Sequence, residues 1–182
     1  MTVERFKTLV AAPGDKQPLI RELSVMPVWR AFKASISLRF EDGRSFDEEC
    51  LATSKTVEGR YIVVSLESKL YKQTVNAITG YDAKAKAIRN WGLFGEKLAE
   101  ATVVIDPEHK TSASSASLGD GLTEIAVSSF NEDEVTTRAS VFKDGALFMT
   151  RIGKAHPIVD PETGGEDDTE EAEKSPAAKP ER

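Results

Sequence analysis

Between positions 32 and 40 the residues Phe32, Ala34, Ile36, Leu38 and Phe40 alternate without a slip with Lys33, Ser35, Ser37 and Arg39. Successive side chains of a strand point to opposite faces, so this spacing is that of a β-strand with one apolar and one wet face. A helix cannot present it, because a period of about 3.6 residues scatters these apolar positions around the cylinder. The segment turns at Glu41-Asp42-Gly43-Arg44, and similar segments follow it down the chain. They occupy residues 45–56, 61–68, 73–82, 86–93, 101–105, 111–117, 122–130, 134–142 and 146–153. The punctuation between them is that of turns: Val57-Glu58-Gly59-Arg60, Asp106-Pro107-Glu108, Gly119-Asp120-Gly121, Asn131-Glu132-Asp133 and Lys143-Asp144-Gly145. Pro107 has no N–H for a ladder, and Asp-Gly pairs favour tight hairpins. Some ten short strands at this spacing predict an all-β protein, a roughly ten-stranded antiparallel up-and-down barrel whose closure removes exposed edges. One stretch competes: Ala83, Lys84, Ala85, Lys86 and Ala87 have helix propensity, and a single helical turn there is the alternative to the strand.

The two ends of the chain differ from this pattern. Val3, Phe6, Leu9 and Val10 recur at helical spacing before Pro13-Gly14, and a second short helix is expected from Pro18, carrying Leu19, Ile20 and Leu23, until Pro27. This segment, residues 1–30, is read as a helical lid or plug packed on the sheet, with a partner-binding or dimer-forming arm as the alternative. Residues 31–157 form the barrel, and residues 158–182 form an acidic tail with hardly a large apolar residue, expected to be disordered. From Asp160 to Arg182 nine acids meet three bases, a net of −6 that equals the formal charge of the whole chain. The remaining body of the chain is therefore neutral, without the basic excess that holds nucleic acid by its phosphates. The single cysteine, Cys50, excludes an internal disulfide and a cysteine-rich zinc site. Glu4, Arg5 and Lys7 interrupt any apolar core of a signal peptide, and no run approaches the roughly 20 apolar residues of a membrane helix. The expected compartment is the cytoplasm.

Gly59-Arg60-Tyr61, then Ile78-Thr79-Gly80-Tyr81-Asp82, then Lys86 and Trp91 resemble the motifs of a bacterial family of calycin-like β-barrels of unknown function. There a Gly-Arg-aromatic opening leads to a strand ending in Gly-Tyr-Asp and then to a strand carrying a Trp. The closing strand after an Asp-Gly hairpin, here Asp144-Gly145, also matches, so the resemblance spans residues 57–153. It departs at the start: the family opens with a Gly-x-Trp strand after a short helix, whereas this chain has Pro27-Val28-Trp29 after a longer, charged segment. The resemblance implies a lipocalin- or fatty-acid-binding-protein-like barrel and no established reaction.

Four residues are the candidate ligand-binding set. Tyr81 and Trp91 are read as a wall of a ligand cavity, with plain barrel packing and a turn hydrogen bond from Asp82 as the alternative. Arg138 and Arg151 flank the Asp144-Gly145 turn at nearly opposite positions, and an inward arginine there would clamp a carboxylate; the alternative is a solvated outward pair. His109 falls in a surface turn. His156 stands on the last strand, where related heme-binding barrels carry an iron ligand, but a lone histidine before Pro157 lacks the supporting groups such a site needs. No cofactor or metal is expected. Asp47, Glu48 and Glu49 run consecutively and so face alternate sides of a strand, Cys50 reads as an inert core residue, and no histidine-paired nucleophile can be assembled from the spacing. The expected function is non-enzymatic binding of a small apolar or amphipathic molecule inside the barrel. The alternative is a filled barrel acting as a structural or protein-interaction module.

Overall fold

In the computed structural model, which describes residues 1–69, 72–94 and 96–158, ten strands close into one antiparallel barrel. A single helix, α1 (Val3–Ala11), precedes β1 (Phe32–Phe40), β2 (Ser45–Val57), β3 (Tyr61–Ser68), β4 (Gln73–Asp82) and β5 (Ala87–Phe94). Then come β6 (Lys97–Asp106), β7 (Thr111–Gly119), β8 (Leu122–Phe130), β9 (Val135–Lys143) and β10 (Ala146–Pro157). Each strand pairs with its neighbours in the chain, and β10 closes the ring on β1 from Phe32–Pro157 to Phe40–Met149. That closure explains why β10 runs beyond residue 153: β1 needs a partner along its whole length.

Two local readings give way to turn chemistry. Residues 83–86 form a hairpin turn and not a helical turn. Asp82 Oδ1 accepts the N–H groups of Lys84 (2.9 Å) and Ala85 (3.1 Å), and this Asx turn takes the donors a helix would have used. Between Pro18 and Pro27 there are turns instead of a second helix. The prolines leave too short a span for a helical nucleus, and the N–H of Ile20 is drawn away to Gly59 O at 2.8 Å. The Asp144-Gly145 hairpin follows its sequence signal: both residues have positive φ, 50° and 84°, and Lys143 pairs with Ala146. The tail after Ile158, expected to be disordered, lies outside the described residues.

The helix packs on the outside of the wall and leaves the ends of the barrel to other residues. Thr2 caps it by accepting the N–H of Arg5 at 3.2 Å, and Lys55 Nζ donates to the carbonyl oxygens of Val10 (2.8 Å) and Ala12 at its other end. Phe6 and Leu9 are buried against Val57, Val63, Ile78 and Trp91, all on the outward face of β2–β5. Burying two such side chains contributes about 3–6 kcal/mol, enough to hold a helix of nine residues that would not persist alone. A second cluster, Phe32, Ala34 and Ala52, faces inward at the end where β1 begins. Trp29 packs on it, edge-on to Phe32, and reaches from Ser54, which donates to its carbonyl, to Glu132, whose carbonyl accepts its indole N–H at 3.0 Å. Trp29 thus floors that end.

Gly80 makes the seat of α1 possible, because a Cβ there would lie 2.4 Å from the Tyr61 ring and 3.2 Å from that of Trp91. Gly80→Ala is expected to lower stability by about 1–3 kcal/mol in urea denaturation through this overpacking. An unchanged midpoint would mean the two rings are not held in this seat.

Candidate functional site

The inward face of the wall is the site the fold builds. The unambiguous alternation of β1 places Phe32, Ala34, Ile36, Leu38 and Phe40 inside, and cross-strand pairing carries that assignment around the ring. From β4 to β9 many inward positions carry small residues, among them Ala77, Gly92, Ala101, Ser114, Ala126 and Ala139, interspersed with Tyr81, Ile88, Val103 and Val141. An eight-stranded ring is just filled by its side chains, and a ten-stranded ring is wider. Accordingly Ile36, Val64, Leu66, Ile88, Val103 and Met149 point inward yet are only partly buried. Leu38, Ile62, Phe130 and Val141, on the same face, are buried.

Of the two arginines, Arg151 faces inward and Arg138 outward. A β-bulge between Leu147 and Met149 shifts the register of the last hairpin, so Arg151 pairs with Ala139 and Arg138 with Ile152. The expected juxtaposition of the two therefore does not occur. Arg151 Nη2 instead donates to Oε1 of Glu124 at 3.0 Å, an ion pair across the lumen side of β8–β10. Its Nε is shielded from solvent and has no hydrogen-bond partner. Glu124 was not in the expected set; its signal was the alternation of β8, masked by its apolar neighbours.

The aromatic pair is also divided. Tyr81 is inward, opposite Ile88, while Trp91 is outward, opposite Ile78, beneath α1 and only 4% exposed. Its indole N–H donates to Glu100 Oε2 at 2.7 Å. Trp91 packs the helix and does not line the lumen. Asp82 has the turn role foreseen for it, and the backbone N–H of Ala85 holds its carboxyl below the usual range, helped by that of Lys84.

Asp47, Glu48 and Glu49 do alternate: Asp47 is outward, paired with Arg39 at 2.9 Å, and Glu48 is inward and buried. Glu48 accepts the hydroxyl of Ser68 at 2.7 Å, joining β2 to β3 beyond Ala52–Leu66, where their backbone pairing stops. Outside that opening lies a cleft of about 980 Å³ rimmed by Lys33, Glu49, Leu51, Lys69 and His156. His156 is outward, beside Asp133 O and Glu134, so it cannot ligate anything in the lumen. His109 sits in its exposed turn, and its hydrogen bond is the main reason the Asp106 carboxyl lies below its ordinary value. Among the described residues no group of three or more His, Cys, Asp or Glu side chains could hold a metal ion, and no helix is long and apolar enough to cross a membrane.

No family model and no curated protein matches this chain. Among solved structures it is similar to a protein of unknown function from the DUF3598 family of Nostoc punctiforme, with 10% identity and a TM-score of 0.51. That alignment covers 81% of this chain and 53% of the other, so the chain spans about half the length of that relative. A redesigned beta barrel aligns over 79% of this chain and 100% of its own, at 7% identity and a TM-score of 0.34. The first likeness is one of fold alone.

Cys50 faces inward beside Glu48, and burial, reinforced by that carboxylate, pushes its thiol from 9.0 up to about 12. A group whose folded pKa is raised contributes stability that is complete below its unfolded value and lost as the pH rises toward the folded one. Stability should therefore fall as the pH climbs from about 9 toward about 12, and less steeply in Cys50→Val. Iodoacetamide at pH 8 is expected to label the thiol only after unfolding; rapid labelling of the native protein would contradict the buried placement.

Proposed function

We propose that this protein is a cytoplasmic, non-enzymatic barrel of calycin-like kind that carries a small amphipathic molecule in its lumen. The observation that carries this reading is the incompletely buried inward wall, where aliphatic side chains stay partly exposed beside alanine, glycine and serine. Apolar surface left facing a cavity is favourable to cover, and pockets for small molecules combine such walls with a few convergent polar groups. A filled barrel would have buried Ile36, Val64 and Ile88 completely, and it does not.

The polar groups define the kind of ligand. Arg151 is already neutralised by Glu124, so a bare carboxylate would have to displace that partner. A hydroxylated or dipolar head, accepting from the Arg151 guanidinium and donating to Glu124, fits the pair without displacing either partner. The apolar part then lies toward the Phe32–Ala52 cluster floored by Trp29.

The neutral dye N-phenyl-1-naphthylamine tests the reading. It should bind saturably, one per chain, and Ala101→Leu, which fills space on the inward face of β6, should weaken it about tenfold. In an unfilled lumen that substitution costs less than about 1 kcal/mol of stability, whereas in a packed core it costs about 1–3 kcal/mol. Absence of saturable binding together with the larger destabilisation would replace the carrier by a filled barrel.

A further inference from the structure

We infer that the outer wall centred on β8–β10 is the interface through which two copies of this chain associate. In the middle of β8 the two branched residues, Ile125 and Val127, point to solvent and are 51% and 54% exposed. They form a ridge. Beside it a groove of about 560 Å³ runs along β9, floored by Ser140 and walled on the far side by Ile152. Val104 on β6, exposed by 68%, continues the patch in register through Ala113 and Val127.

The same wall is almost without charge. In a chain that is 30% charged, Arg138 is the one ionised side chain among the outward positions of β7 to β9 before Lys143. The outward positions of β1 and β2 differ, with Lys33, Arg39, Asp47, Glu49 and Lys55. Depletion of charge with exposed aliphatic side chains distinguishes the centre of an interface from ordinary surface.

A second copy is the occupant that the shape favours. Ridge and groove lie side by side on adjacent strands, so a two-fold axis between them seats each copy's Ile125–Val127 ridge in the other's groove. Ser140, Ala113 and Ser115 allow the close approach that sheet-on-sheet packing needs. With no acid at the outward positions of β7 to β9, facing that part of the wall with itself brings no carboxylates together. Arg138, on β9 directly across from Val127, lays its aliphatic stem along the groove and carries its guanidinium away from the apolar ridge toward water. The wall from β6 to β10 measures about 24 Å by about 23 Å, so a pair covers on the order of 1,100 Å², enough for a specific but weak dimer.

Sedimentation of the full chain over about 5–500 μM tests this. A reversible dimer is expected, and Val127→Lys, at the centre of the wall, should weaken it at least tenfold. Leu51→Lys, equally exposed but across the barrel on β2, should leave it unchanged. Both sites are solvent-exposed, so the fold should survive, which thermal denaturation followed by circular dichroism verifies. A monomer throughout the range overturns the inference. So does a dimer indifferent to Val127→Lys or broken by Leu51→Lys, or one that forms only after removal of residues 159–182, which would make that segment the cover of the wall.

Discussion

Closure of the ring is the constraint on which everything else depends. In an open sheet each strand can choose which face to bury, but in a closed one a single strand's assignment dictates all ten. β1 supplies it, because Phe32, Ala34, Ile36, Leu38 and Phe40 cannot be turned outward without exposing the apolar face of the chain's clearest strand. The bulge at Leu147–Met149 then brings β10 into phase, with Arg151 on the same side as Leu38.

Some strands accept an unfavourable local arrangement as a result. β8 keeps Phe130 inside, but in its middle it turns Glu124, Ala126 and Ser128 inward and Ile125 and Val127 outward, the reverse of the local hydrophobic preference. Consistency around the ring outweighs the loss on one strand. The two consequences are complementary: a polar, small-residue stripe inside with the Arg151–Glu124 pair, and an apolar wall outside. Stability lost from a thin lumen is offset elsewhere, by α1 buried on the wall of β2–β5 and by Trp29 closing one end.

The architecture was legible because it rests on local signals. Alternation in β1, Asp-Gly at positions 144–145 and the turn around Asp106 each act within a few residues, and strands β3, β4 and β8 begin and end where those signals place them. The site was legible only in part. Arg151 and Tyr81 do face inward, but Arg138 lies outside because one bulged residue inverts the hairpin register, and a bulge leaves no clear mark in the sequence here. Trp91 lies outside because a helix some eighty residues earlier covers it, a long-range contact that strand periodicity does not encode. Glu124 was hidden by Ile125 and Val127, whose bulk advertises the opposite face. Between the strand and the helical turn that residues 83–87 left open, the Asp82 carboxylate decides, by taking the N–H groups of Lys84 and Ala85.

What the barrel does therefore turns on its interior, where half-buried aliphatics surround an already neutralised arginine. The most direct measurement is native mass spectrometry of protein purified from cells without detergent, before and after organic extraction. The carrier reading predicts an added small-molecule mass that extraction removes, from a compound with an apolar body and an uncharged or dipolar head. A clean apo mass in both samples, with no uptake of such compounds when they are added back, would contradict it.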